Sequence, residues 1–179
     1  MKEISLKEGE RVLIRTGFSD YHKDCIEVLA KFLKSMDVII ITFDTNIRDI
    51  VDGLLSRGVK PSRIHIIDCV SITLGRGSAP VSKLINIYRP EYFVDIQVYT
   101  FLFLKEARFR NTVIFFHSMH ELEEYQNFDE IGLFLFTFRE FIKKHKIPQV
   151  IMEHDQLDYS LAKIIEAHAE RVVEYGVID

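Results

Sequence analysis

Asp37-Val38-Ile39-Ile40-Ile41-Thr42-Phe43-Asp44 is the stretch that decides the fold class. Its centre is β-branched and apolar at consecutive positions, so both faces of the strand it forms are apolar and must be covered. Such strands belong to parallel sheets, whose neighbours are joined by crossovers of helical length. The flanking sequence supplies those crossovers. Upstream, Arg11 to Thr16 reads as a buried strand around Val12-Leu13-Ile14, stopped by Gly17 and Ser19-Asp20. From Asp20 to Lys34, Ile26, Leu29, Ala30 and Leu33 recur on one helical face, with Ser19 or Asp20 available as N-cap. Downstream, Asn46 to Arg57 predicts a helix closed by Gly58, and Arg63 to Val70 a strand around Ile64, Ile66 and Ile67.

The alternation continues to the end of the chain. Ser71 to Arg89, with Gly75, Gly77, Ser78 and Pro80, reads as a mobile loop. Pro90 then opens a helix running from Glu91 to Ala107, and Thr112 to Phe116 follows as a strand. A long helix from Asp129 to His145, a strand Gln149 to Met152, a helix Leu157 to His168 and a strand Arg171 to Val177 complete the pattern. The expected architecture is a single three-layer α/β domain over residues 1–179, with a mostly parallel sheet of about six strands.

Composition narrows the function classes. A formal net charge of -4 and a pI near 6.0 give no general basic field for a nucleic-acid backbone. Cys25 and Cys69 are too few and too far apart for a disulfide scaffold, and the longest apolar runs fall well short of the roughly 20 residues of a membrane span. Met1 to Glu10 is charged and has no signal-peptide core. The expectation is a cytoplasmic protein that binds neither nucleic acid nor membrane.

Several segments, in order, resemble the RecA/KaiC-type P-loop ATPases. Gly9 to Ile14 followed by Gly17 is similar to the phosphate-loop strand and its first glycine. Val38 to Asp44 resembles the family's second strand, Arg57-Gly58-Val59 through Asp68 its helix end and third strand, and Arg89 to Ile96 its proline-led helix. Thr112 to Ser118 stands where the Walker B strand would be, and Ala169 to Glu174 resembles the closing strand. The resemblance implies a RecA-like P-loop NTPase fold, sheet order 3-2-4-5-1-6, and a site at the carboxyl edge of strands 1, 4 and 5.

Against that pattern the ATP-handling positions are altered. A phosphate loop needs G-x-x-x-x-G-K-[ST], and the matching stretch is Gly17-Phe18-Ser19-Asp20-Tyr21-His22-Lys23-Asp24. Gly17 and Lys23 fit; His22 replaces the second glycine, Asp24 replaces the hydroxyl residue, and Asp20 adds a carboxylate. His117 stands at the Walker B aspartate, and Asp44 lies near the family's catalytic glutamate. The leading expectation is a non-hydrolysing, regulatory or protein-associating relative that needs no cofactor. A simpler role for Ser19, Asp20 and Asp24 is to cap and decorate a helix start, with Lys23 on the surface. A second reading keeps ATP and Mg²⁺, with Lys23 on phosphate and Asp44 or Asp24 on the metal.

A third reading is metal-assisted hydrolysis. His117, Glu153 and His154 are placed at strand ends to converge with Asp20 or Asp44, and such N/O donors suit Zn²⁺ or Mn²⁺. His120, Asp68 and Asp155 lie at the same strand ends, whereas His65 and His168 are expected to satisfy local hydrogen bonds or face water, and Cys69 to pack in the core. Two helices also carry surplus apolar surface. Leu133 and Phe136 project opposite the core stripe Ile131, Phe134, Leu135, Phe138 and Ile142. Val98 and Leu102 lie beside the core set Phe93, Ile96, Thr100 and Leu104. Either an oligomer interface or the sheet and the 71–89 segment would cover them.

Overall fold

The computed structural model describes residues 4–44, 47–70, 81, 83–87, 93–107, 111–125 and 127–176. Its strands are β1 (Arg11–Thr16), β2 (Asp37–Thr42), β3 (Ile64–Asp68), β4 (Lys83–Asn86), β5 (Thr112–His117), β6 (Gln149–His154) and β7 (Arg171–Glu174). The helices are α1 (Tyr21–Phe32), α2 (Ile47–Ser56), α3 (Phe93–Glu106), α4 (Phe128–Lys144) and α5 (Tyr159–His168). Short 3-10 segments span Phe18–Asp20, Pro61–Arg63 and Met119–Tyr125.

All the strands form one sheet in the order β4-β3-β2-β5-β6-β1-β7, and every pairing is parallel. With β4 set aside, this is the expected order 3-2-4-5-1-6. The expectation of about six strands needs one correction, because Lys83–Asn86 adds a seventh on the β3 edge, inside the segment read as loop. Its half-buried side chains suit an edge, and the Gly/Pro-rich sequence before it hides a strand of this length. Residues 71–80 and 88–92, including Gly75, Gly77, Ser78, Pro80, Pro90 and Glu91, lie outside the described residues.

β2 shows why the sheet has two covered faces. Val38 and Ile40 pack with α1 and α2 against Val28, Leu29, Ile50 and Leu54. Ile39 and Ile41 pack on the opposite side with Ile96, Leu104, Phe134 and Phe138 of α3 and α4. Each buried aliphatic side chain of this kind contributes about 1.5–3 kcal/mol of transfer free energy. Gly58 ends α2 at φ +76°, the left-handed position a helix terminus favours. Within α3, Phe103 joins the core while Phe93 is only partly buried, which modifies the expected core set.

The surplus apolar side chains stay exposed among the described residues: Val98 is 50%, Leu102 43%, Leu133 63% and Phe136 51% accessible. Leu133, Phe93, Val94 and Phe134 line an open groove of about 760 Å³ between α3 and α4. No described helix is long and apolar enough to cross a membrane.

Candidate functional site

Because all seven strands run parallel, the carboxyl ends of β1, β2, β5 and β6 open on one edge of the sheet. There the chain places Thr16, Asp44, His117-Ser118 and Glu153-His154 beneath the first turn of α1. Tyr21 is the hub. Its ring is buried, stacks on His117 at 5.6 Å between centroids, and meets His120 and His154 edge-on at 5.7 and 5.6 Å. Its hydroxyl donates to the Met152 carbonyl (3.0 Å) and accepts the Ser118 N–H (2.8 Å). Ser118 sits at φ +60°, a conformation that non-glycine residues adopt at some energetic cost, and the Tyr21 bond helps to hold it.

The turn between β1 and α1 is tight. Phe18–Asp20 is a 3-10 turn in which the Asp20 N–H donates to the Gly17 carbonyl (3.1 Å) and the Tyr21 N–H to the Phe18 carbonyl. The Phe18 N–H donates to Asp155 Oδ1 at 3.0 Å. Asp24 is buried inside α1 and accepts a hydrogen bond from the Thr16 hydroxyl, so it is a core carboxylate and not a decoration of the helix surface. Lys23 points to solvent and pairs with exposed Asp20 at 3.6 Å. Of the two carboxylates expected as alternatives beside His117, it is Asp44 that the structure brings there, while Asp20 is exposed on Lys23. The Asp20 side chain does not cap α1, although it occupies the N-cap position.

The histidines and carboxylates sort into two groups. His22, Asp44 and His117 each offer one ligand atom, all within 4.8 Å of one another. Glu153 and His154, expected beside them, belong to the other. Buried Glu153 accepts the Met119 N–H at 2.6 Å and faces His120 Nδ1 at 3.1 Å. His154 packs against His120 with centroids 4.2 Å apart and borders a small pocket of about 260 Å³ lined also by Leu13, Arg15, Leu157 and Tyr159. Elsewhere, Asp68 accepts the Val70 N–H, Cys69 is fully buried, and half-buried His65, expected to bond locally or face water, has a buried Nδ1 with no hydrogen-bond partner among the described residues.

Burial sets the protonation states. It pushes His117 down to about 3, an effect that nearby Asp44 only partly opposes. Burial also takes His154 down to about 4, helped by His120. For His120 burial acts against the charged form, yet the Glu153 hydrogen bond and charge outweigh it and raise the pKa. Glu153 itself is raised by burial, with His120 opposing. Sequence reading placed His120 at the strand end with His117 but missed Tyr21 and Ser118 as site components. Their signal was weak: an aromatic four residues after the glycine that opens the turn, and a serine within a His-Ser-x-His run after an apolar strand.

No protein-family model and no curated protein matches the sequence. Solved structures do resemble the fold. A Pyrococcus horikoshii OT3 protein, solved as a structural study under project identifier PH0250, has a TM-score of 0.64 at 12% identity, covering 94% of this chain and 82% of that one. The flagellar accessory protein FlaH from Methanocaldococcus jannaschii has a TM-score of 0.51 at 14% identity, covering 95% and 72%. At these identities the likeness establishes a RecA-like α/β fold.

His154 provides a pH test. The Gln156 N–H donates to His154 Nδ1 (3.2 Å), a bond that only the neutral ring accepts in this tautomer. With its folded pKa depressed to about 4, the unfolded chain takes up the proton first as pH falls. This stabilising contribution is complete above the unfolded value of about 6.5 and is lost as pH falls toward the folded one. In metal-free protein, the unfolding free energy from urea titration should fall between about pH 7 and pH 5, by no more than about 1.4 kcal/mol per pH unit from this ring. His154→Gln should flatten the profile; an unchanged slope would contradict the assignment.

Proposed function

We propose that this RecA-like domain neither cradles nor hydrolyses ATP and acts by associating with protein, a second copy of itself included. The observation carrying the first half is the β1–α1 turn. A phosphate loop works by aiming free backbone N–H groups at the phosphates. Here the N–H groups of Phe18, Asp20 and Tyr21 already have acceptors, and one of these is the Asp155 carboxylate. Asp24 is held on Thr16 where a magnesium-binding hydroxyl would stand, and Lys23 is turned outward. The residues present do not fit a triphosphate.

Support for association comes from the face shared by α3 and α4. Val98, Leu102, Leu133 and Phe136 expose apolar side chains that an isolated domain gains nothing by presenting. A two-fold contact needs only one self-complementary patch, so a second copy of the chain is the simplest occupant.

Millimolar Mg·ATP should leave the melting temperature unchanged and show no turnover, because stabilisation follows affinity by mass action. A saturable rise in melting temperature would favour a nucleotide-binding domain with a nonstandard phosphate loop. For the second half, light scattering after gel filtration should show an oligomer at micromolar concentration, dissociated by the double substitution Leu133→Glu and Phe136→Glu. A strict monomer over the same range would overturn it.

A further inference from the structure

Three positions that the family resemblance aligns with separate parts of an ATPase meet in space: His22 from α1, Asp44 just after β2 and His117 at the end of β5. We infer that together they bind a divalent transition-metal ion of the Zn²⁺ class, a property beyond the association role. Their ligand atoms lie within 4.8 Å of one another, and His22 Nε2 is 3.9 Å from Asp44 Oδ2. Ligands on a tetrahedral zinc ion with bonds of about 2.0–2.1 Å are spaced by roughly 3.3 Å. The His22–Asp44 pair must therefore draw in by roughly 0.6 Å and no pair by more than roughly 1.5 Å, and His22 is the one with room to move, its side chain being 50% exposed.

The surroundings orient the two buried donors as metal sites require. His117 Nδ1 lies 3.0 Å from Thr42 Oγ1. That oxygen also accepts the Asp44 N–H at 3.1 Å, and the Thr42 hydroxyl proton can turn toward the Asp44 carbonyl at 3.5 Å. With the ring donating from Nδ1 to Thr42 and the nearby Ser118 hydroxyl, 3.3 Å from Nε2, turning its proton to Asp44, the Nε2 lone pair is left for a ligand, the usual tautomer logic of a metal-binding imidazole. Asp44 Oδ2 is contacted in turn by the Ser118 hydroxyl at 3.3 Å. Two imidazole nitrogens and one carboxylate suit Zn²⁺, Mn²⁺ or Co²⁺, and three protein ligands leave a further position for water. Half-exposed His22 forms the rim through which the ion enters. His120, Glu153 and His154 form the neighbouring cluster behind Tyr21 and are not part of the ligand set.

The experiment is isothermal titration of EDTA-stripped full-length protein with ZnCl₂, MnCl₂ and CoCl₂, with the visible spectrum of the Co²⁺ form as a coordination readout. One equivalent of Zn²⁺ or Co²⁺ should bind in the micromolar range or tighter. His22→Ala removes an exposed side chain and should leave the fold intact while weakening binding at least about tenfold. Asp44→Asn should do the same, and His154→Gln should bind as the parent does. The inference fails if none of the three ions binds, or if His22→Ala and Asp44→Asn bind with parental affinity. It also fails if His154→Gln alone abolishes binding. None of these readouts uses nucleotide or oligomeric state, so failure here leaves the association reading standing, and failure of that reading leaves this one standing.

Discussion

The phenol of Tyr21 is the interaction on which the architecture of this sheet edge depends. It spans from α1 to β6 and to the residue after β5, donating to the Met152 carbonyl and accepting the Ser118 N–H. A buried polar group left unpaired costs about 1–3 kcal/mol, so the side chain fixes where the first turn of α1 sits. Once that turn is fixed, His22 stands over Asp44 and His117, and residues 18–20 are drawn into a 3-10 turn in place of an open loop. The closed turn and the histidine cluster thus share one cause.

A parallel sheet explains why the chemistry gathers here at all. Every strand delivers its carboxyl end to the same edge, and the point where the strand order reverses opens a crevice there in folds of this class. What fills the crevice is a local matter. In this chain it holds aromatic and imidazole rings, two buried carboxylates on hydroxyl partners (Asp24 and Asp44), and a third, Glu153, on His120. Fold alone therefore says little about activity, and the side chains at the edge carry the functional argument.

Much of the scaffold was legible in the sequence because its signals are local. Consecutive β-branched residues marked β2, Gly58 marked the end of α2, and the alternation of apolar runs with helical periodicity gave the strand order through the family resemblance. Lys83–Asn86 escaped because four half-buried residues after a Gly/Pro-rich stretch carry no period of their own. Arg11 reads as the polar start of a strand, yet it is fully buried and bound to Gln149 Oε1 and the Leu135 carbonyl. The candidate site was legible only in part. Asp44, His117, Glu153 and His154 were found from their strand-end positions, but which of them meet depends on side-chain direction, which period and spacing do not encode. His22 was read as the replacement of a phosphate-loop glycine, and the same imidazole joins Asp44 and His117 in the cluster.

We propose that the turn after β1 is closed to phosphate. The most direct measurement is a crystal structure obtained in millimolar Mg²⁺ and a non-hydrolysable adenosine triphosphate analogue. The Phe18, Asp20 and Tyr21 amides should still be bonded to their protein acceptors, with no nucleotide density beside them. A triphosphate seated on those amides, with Asp155 and Asp20 displaced, would contradict it.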